Sequence, residues 1–211
     1  MHKTALLFFM LCFIFSDGAL ADTEADVNAG KTTYDEICSS CHGRKAHGQK
    51  RLNAPSLAGQ QAWYVVRQLK NFKSGIRGNH ENDTFGRQMR PMAMLLKDEQ
   101  AVIDVAAFIA SLKPRKPRKQ TDDLTKGKTI YATCAGCHGS KAEGNESMNA
   151  PALKGLQKWY LVTQLENFKS GIRGSHDEDI YGQQMQSMMT VLADDASINN
   201  VASYITSLAA N

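Results

Sequence analysis

The strongest constraint on this chain is that most of it is written twice. Cys38, Cys41 and His42 form a CxxCH motif, and Cys134, Cys137 and His138 form a second one 96 residues later. Residues 38–112 laid on 134–208 without a gap give 39 identities in 75 positions. Asn53-Ala54-Pro55 returns as Asn149-Ala150-Pro151, Trp63-Tyr64 as Trp159-Tyr160, and NFKSGIRG at 71–78 as the same letters at 167–174. Upstream, GKTTY at 30–34 matches GKTIY at 127–131 only after a one-residue shift. Each unit, of about 90 residues, is large enough to enclose its own core, so the chain reads as two copies of one domain and not as a solenoid.

The chain has 211 residues and five cysteines, an odd number that the motifs leave with one over. Cys12 lies in the apolar run Ala5–Phe15, which follows Met1-His2-Lys3 and precedes Ala19-Leu20-Ala21. That run has the length of a secretory signal core and falls short of the ~20 residues that span a bilayer. Residues 1–21 are therefore expected to be a cleaved signal peptide, taking Cys12 with them and sending the mature chain to the bacterial periplasm. A hydrophobic fraction of 42% and a charged fraction of 22% exclude a disordered or fibrous chain.

The expected domains are 22–112 and 121–211, joined by a linker at 113–120. The linker, KPRKPRKQ, carries five positive charges. Pro114 and Pro117 prevent a continuous helix, and so dense a charge run stays solvated. It reads as a stiff spacer, with an electrostatic docking strip as the alternative. The net charge of +4 divides into +2 for residues 22–112, +5 for the linker and −3 for residues 121–211. Arg44, Lys45, Lys50 and Arg51 follow the first motif, where the second has Ser140, Lys141, Glu146 and Ser147. The two ends are thus expected to dock different partners, the first half being steered to an acidic surface.

Each half reads as all-α. Asn28–Ile37 is a short helical stretch leading into CxxCH. Gln60–Lys73 has apolar residues at helical spacing and stops at Gly75. Asp98 is a candidate N-cap for Val102, Val105, Ala106, Ile109 and Leu112, and Asp194 for Ile198, Val201, Ala202, Ile205 and Leu208. The segments between these helices read as Gly-rich loops.

CxxCH is the attachment signature of c-type haem: two thiols add across the vinyl groups, and the adjacent His coordinates the iron. A zinc site would need four ligands, a thioredoxin-like dithiol would want a βαβ setting, and a disulfide across CxxC is strained. Two motifs accounting for every cysteine outside the signal favour two covalently bound haems c. Cys38, Cys41, Cys134 and Cys137 are the attachment residues, and His42 and His138 the proximal iron ligands. For the sixth ligand three repeated pairs stand open: Met89 with Met185, Met92 with Met188, and His80 with His176.

The halves resemble class I cytochrome c domains, and the duplicated whole resembles the dihaem cytochromes c4 of the bacterial periplasm, over nearly all of residues 27–210. The resemblance implies an all-α fold of two tandem class I domains, each wrapped around a covalently attached haem. In that family the first Met of M-x-x-M before the final helix binds the iron, which selects Met89 and Met185. A proline carbonyl holds the proximal imidazole, a role that falls to Pro55 and Pro151. Trp63, Tyr64, Trp159 and Tyr160 are expected as helix-core aromatics. The segment GIRGxHxxDxxG is more polar than the family pattern, and for His80 and His176 loop hydrogen bonding is the expectation.

A haem closed by His and Met has no open substrate position but exchanges electrons readily. The expected function is an electron carrier, not an enzyme, between other redox proteins of the periplasm or inner membrane. The alternatives are a dihaem enzyme of the thiosulfate dehydrogenase or peroxidase type and a haem subunit of a terminal oxidase. An enzyme usually needs one haem to differ, whereas these halves match at every candidate ligand.

Overall fold

The computed structural model describes residues 24–114, 116 and 123–208. The expected signal at 1–21, and all of the linker except Lys113, Pro114 and Lys116, lie outside the described residues.

The first half runs α1 (Val27–Thr33), a π turn (Tyr34–Cys38), α2 (Ser39–His42), α3 (Ala62–Ser74), α4 (Thr84–Met94) and α5 (Glu99–Ser111). The second runs α6 (Thr125–His138), α7 (Lys158–Lys169), α8 (Ile180–Met188) and α9 (Asp195–Leu208). Among the described residues there is no sheet, only two isolated bridges, Gln49–Ala54 and Asn145–Ala150. The all-α expectation holds.

In each half the first helix crosses the last. The crossing is close because Gly30 and Gly127 carry no side chain: a Cβ there would stand 2.0 Å from the Asp104 carbonyl oxygen and 2.2 Å from that of Asn200. Tyr34 meets Phe108 at 5.3 Å between ring centroids, and Tyr131 meets Tyr204 at 5.5 Å. The predicted stripes Val102, Val105, Ala106, Ile109 and Ile198, Val201, Ala202, Ile205 are buried in the two cores. Asp98 accepts from the Ala101 amide at 2.8 Å and Asp194 from the Ser197 amide at 2.8 Å, as the N-cap reading requires.

The one-residue shift has a structural counterpart. Tyr34 stands four residues before Cys38, whereas Tyr131 stands three before Cys134. The extra residue is absorbed in the π turn, whereas α6 runs on as plain α-helix. Both tyrosines thereby reach equivalent carbonyls, Tyr34 donating to Gly43 at 2.8 Å and Tyr131 to Gly139 at 2.7 Å.

One expectation needs correcting. The Gly-rich segments that bear the methionines contain helices, α4 and α8. Their N-caps are Asp83, accepting from the Gly86 amide at 2.9 Å, and Asp179, accepting from Gly182 at 3.0 Å. The glycines that suggested a loop make room for these buried carboxylates: a Cβ on Gly86 would lie 2.0 Å from Asp83 Oδ2.

Candidate functional site

Each CxxCH closes a helix, and Gly43 and Gly139 then turn the chain away at φ 79° and 81°. His42 and His138 are each 5% exposed. Their Nδ1 atoms lie 2.9 Å from the Pro55 carbonyl and 2.8 Å from the Pro151 carbonyl. A carbonyl only accepts, so Nδ1 donates, and in the neutral ring Nε2 keeps its lone pair for a metal. Burial holds both imidazoles below their ordinary pKa, against a smaller upward pull from the carbonyl bond. Burial thus favours the neutral ring that iron ligation needs.

The loop that offers the proline carbonyl is built alike in both halves. Asn53 and Asn149 adopt left-handed backbone at φ 52° and 54°, which asparagine tolerates better than most residues. Gly48, at φ 73°, lies so close that a Cβ would stand 2.5 Å from the Pro55 carbonyl carbon, and Gly144 so close that one would stand 2.7 Å from that of Pro151.

No disulfide joins the four motif cysteines; Cys38 and Cys134 are half-buried and Cys41 and Cys137 exposed. Burial, with Cys41 beside it, pushes the Cys38 thiol up to about 12, and burial also raises Cys134. These are not activated thiolates of the thioredoxin kind. Among the described residues no three His, Cys, Asp or Glu side chains group as a metal site, so the zinc alternative finds no ligand set.

Met89 and Met185 sit half-buried on α4 and α8, and Met185 packs against the second core. Met188 is 37% exposed, whereas Met92 is half-buried. His80 Nδ1 accepts from the Asn82 amide at 3.1 Å and His176 Nδ1 from the Glu178 amide at 3.2 Å. Loop hydrogen bonding was the expectation for both.

The polar GIRG segment, unassigned from sequence, joins the halves across a pseudo-two-fold axis. Arg77 donates to Gln164 at 3.0 Å and Tyr160 at 3.3 Å, while Arg173 donates to Gln68 and Tyr64, both at 3.1 Å. The Ser56 amide donates to Gln157 and the Ala152 amide to Gln61, both at 2.9 Å. Tyr64 and Tyr160 are therefore interdomain partners and not simply helix-core aromatics. The repeat of NFKSGIRG without a change was the sequence signal for this role.

The interface also tests whether the residues fit a haem. Among the described residues neither arginine meets a carboxylate within ion-pair distance, and the Arg77, Arg173, Arg90 and Trp63 side chains each bury an N–H without a partner. Burial would raise the Tyr64 phenol, yet Arg173 and Arg77 draw it below its ordinary value. Half-buried cations that keep a buried N–H without an acceptor and have no counter-ion are costly. The propionates of a haem are the acceptors this donor set suits, so the residues fit the group.

The cytochrome c family model matches the chain twice, over residues 27–113 and 124–209. Cytochrome c4 of Azotobacter vinelandii is 28% identical over 200 residues, covering 90% of this chain and 92% of its own. Cytochrome c4 of Thiocapsa roseopersicina is 32% identical over 168 residues, covering 74% and 82%. The crystal structure of reduced recombinant cytochrome c4 from Pseudomonas stutzeri superposes with a TM-score of 0.71 at 26% identity, covering 86% of this chain and 98% of that one.

Proposed function

Since the chain belongs to the cytochrome c family, with two such domains and two covalently bound haems c, we propose that it carries electrons between respiratory redox partners in the periplasm. The observation that carries this reading is the matched pair of buried imidazoles, each tied by Nδ1 to a proline carbonyl. When bound, the haems supply one-electron iron chemistry. The chain's part is to fix the ligands so that little moves when charge changes. His42 and His138 present Nε2 from rings locked by Pro55 and Pro151. Met89 and Met185, on capped helices, would supply the second ligand of each iron, a thioether that favours a low-spin, raised-potential centre. Cys38, Cys41, Cys134 and Cys137 would hold the macrocycles.

Ligands that match in both halves leave no position for a substrate, which separates a carrier from a dihaem enzyme. Residues 1–21 direct export, and the basic residues after the first motif steer an acidic partner to the first half.

Absorption spectra of the oxidised and reduced protein, with a haem count, test the reading. Two low-spin haems per chain are expected, with a weak long-wavelength band that halves in Met89→Ala or in Met185→Ala. A high-spin haem that binds added ligands in the unaltered protein would sink the carrier. Electron transfer to the physiological partner should slow as salt rises; a salt-independent rate would remove the basic half from docking.

A further inference from the structure

The two haem sites match at every candidate ligand, yet Arg67 crosses the interface without a counterpart in the second half. Arg67 lies on α3 of the first half, where the second half has Thr163. Its Nη1 donates to Asn149 Oδ1 at 3.0 Å and its Nη2 to the Asn149 carbonyl at 2.9 Å. Asn149 opens the Asn149-Ala150-Pro151 turn whose proline carbonyl holds His138. The same guanidinium lies 4.5 Å from the ring centroid of Tyr181, on α8 one turn before Met185, and 4.9 Å from that of Trp63. One charge from the first half thus touches both ligand-bearing segments of the second. Thr163 returns nothing, since its hydroxyl donates to Trp159 of its own helix at 3.0 Å.

We propose that Arg67 is a positioning residue of the second haem: it holds that haem's two ligand segments together and sets a positive charge beside them, raising its reduction potential. This inference rests on the carrier reading. Reducing a haem removes one positive unit from its iron, so a nearby cation disfavours the oxidised form. The half-buried guanidinium is screened less than a surface charge would be. The sequence repeat makes the sites alike in their ligands, and Arg67 gives the second a cation that the first lacks at the matching position.

Spectroelectrochemistry of the full dihaem protein tests this, with each wave assigned through Met89→His and Met185→His. Arg67→Thr is expected to shift the second haem's wave downward and leave the first in place. Arg67→Lys keeps the charge without the two-point grip, and is expected to retain most of the potential. Arg67→Thr combined with Thr163→Arg sets an arginine against Asn53 and Phe85, the counterparts of Asn149 and Tyr181, and should transfer the upward shift to the first haem. Equal shifts of both waves in Arg67→Thr, or none, would overturn the proposal. So would a fall in Arg67→Lys as large as in Arg67→Thr, which would mark a purely structural grip. A count other than two haems per chain overturns the carrier reading itself, and this proposal with it.

Discussion

Each buried imidazole takes its orientation from one backbone carbonyl, and that carbonyl is held by a loop with no room for a side chain at Gly48 or Gly144. Gly48→Ala would add a Cβ at 2.5 Å from the Pro55 carbonyl carbon on a left-handed backbone. It is expected to cost more than about 1 kcal/mol in a urea melt and to lower the first haem's potential before the second's. The proline contact was legible, because NAP recurs at the same distance from each motif. The need for glycine was not, because it follows from a φ of 73° and a close approach that no local pattern announces. Arg67 was illegible for another reason. A mismatch within a repeat looks like drift, and only the fold brings that residue to Asn149.

At the scale of elements, the first and last helices of each half were legible from apolar spacing and caps, whereas α4 and α8 were hidden. Gly86, Gly182 and Pro91 read as loop letters, yet Asp83 and Asp179 cap true helices there. The shifted GKTxY match announced an extra residue without saying how the chain would hold it. A plain helix turns about 100° per residue, so an unabsorbed insertion would swing Tyr34 off the core. The π turn keeps it there, fully buried. Deleting Glu36 gives the first half the spacing of the second, and is expected to convert the turn to α-helix while retaining haem attachment and thermal stability. Deleting Thr133 from the uninterrupted helix α6 should displace Tyr131 and lower the melting temperature. Haem staining and thermal melts of the two variants check this; equal damage would contradict it.

In the molecule as a whole, the halves are joined by bonds that come in mirrored pairs, Arg77 to Gln164 and Tyr160 against Arg173 to Gln68 and Tyr64. Hydrogen bonds to a charged group contribute about 1.5–3 kcal/mol each where well formed. The double variant Arg77→Ala, Arg173→Ala is expected to undock the domains, replacing one thermal transition by two and enlarging the radius of gyration in solution scattering. Either single variant should retain one transition, because the mirrored half of the contact survives. Such reciprocity, in which the first i meets the second j while the second i meets the first j, is the signature of an isologous dimer. Two separate copies of a single-haem ancestor could meet through this surface, and identical subunits would be bound to keep identical haems. Fusing them into one chain lifts that obligation: each half is then free to change alone, and the arginine opposite a threonine is what that freedom looks like in atoms.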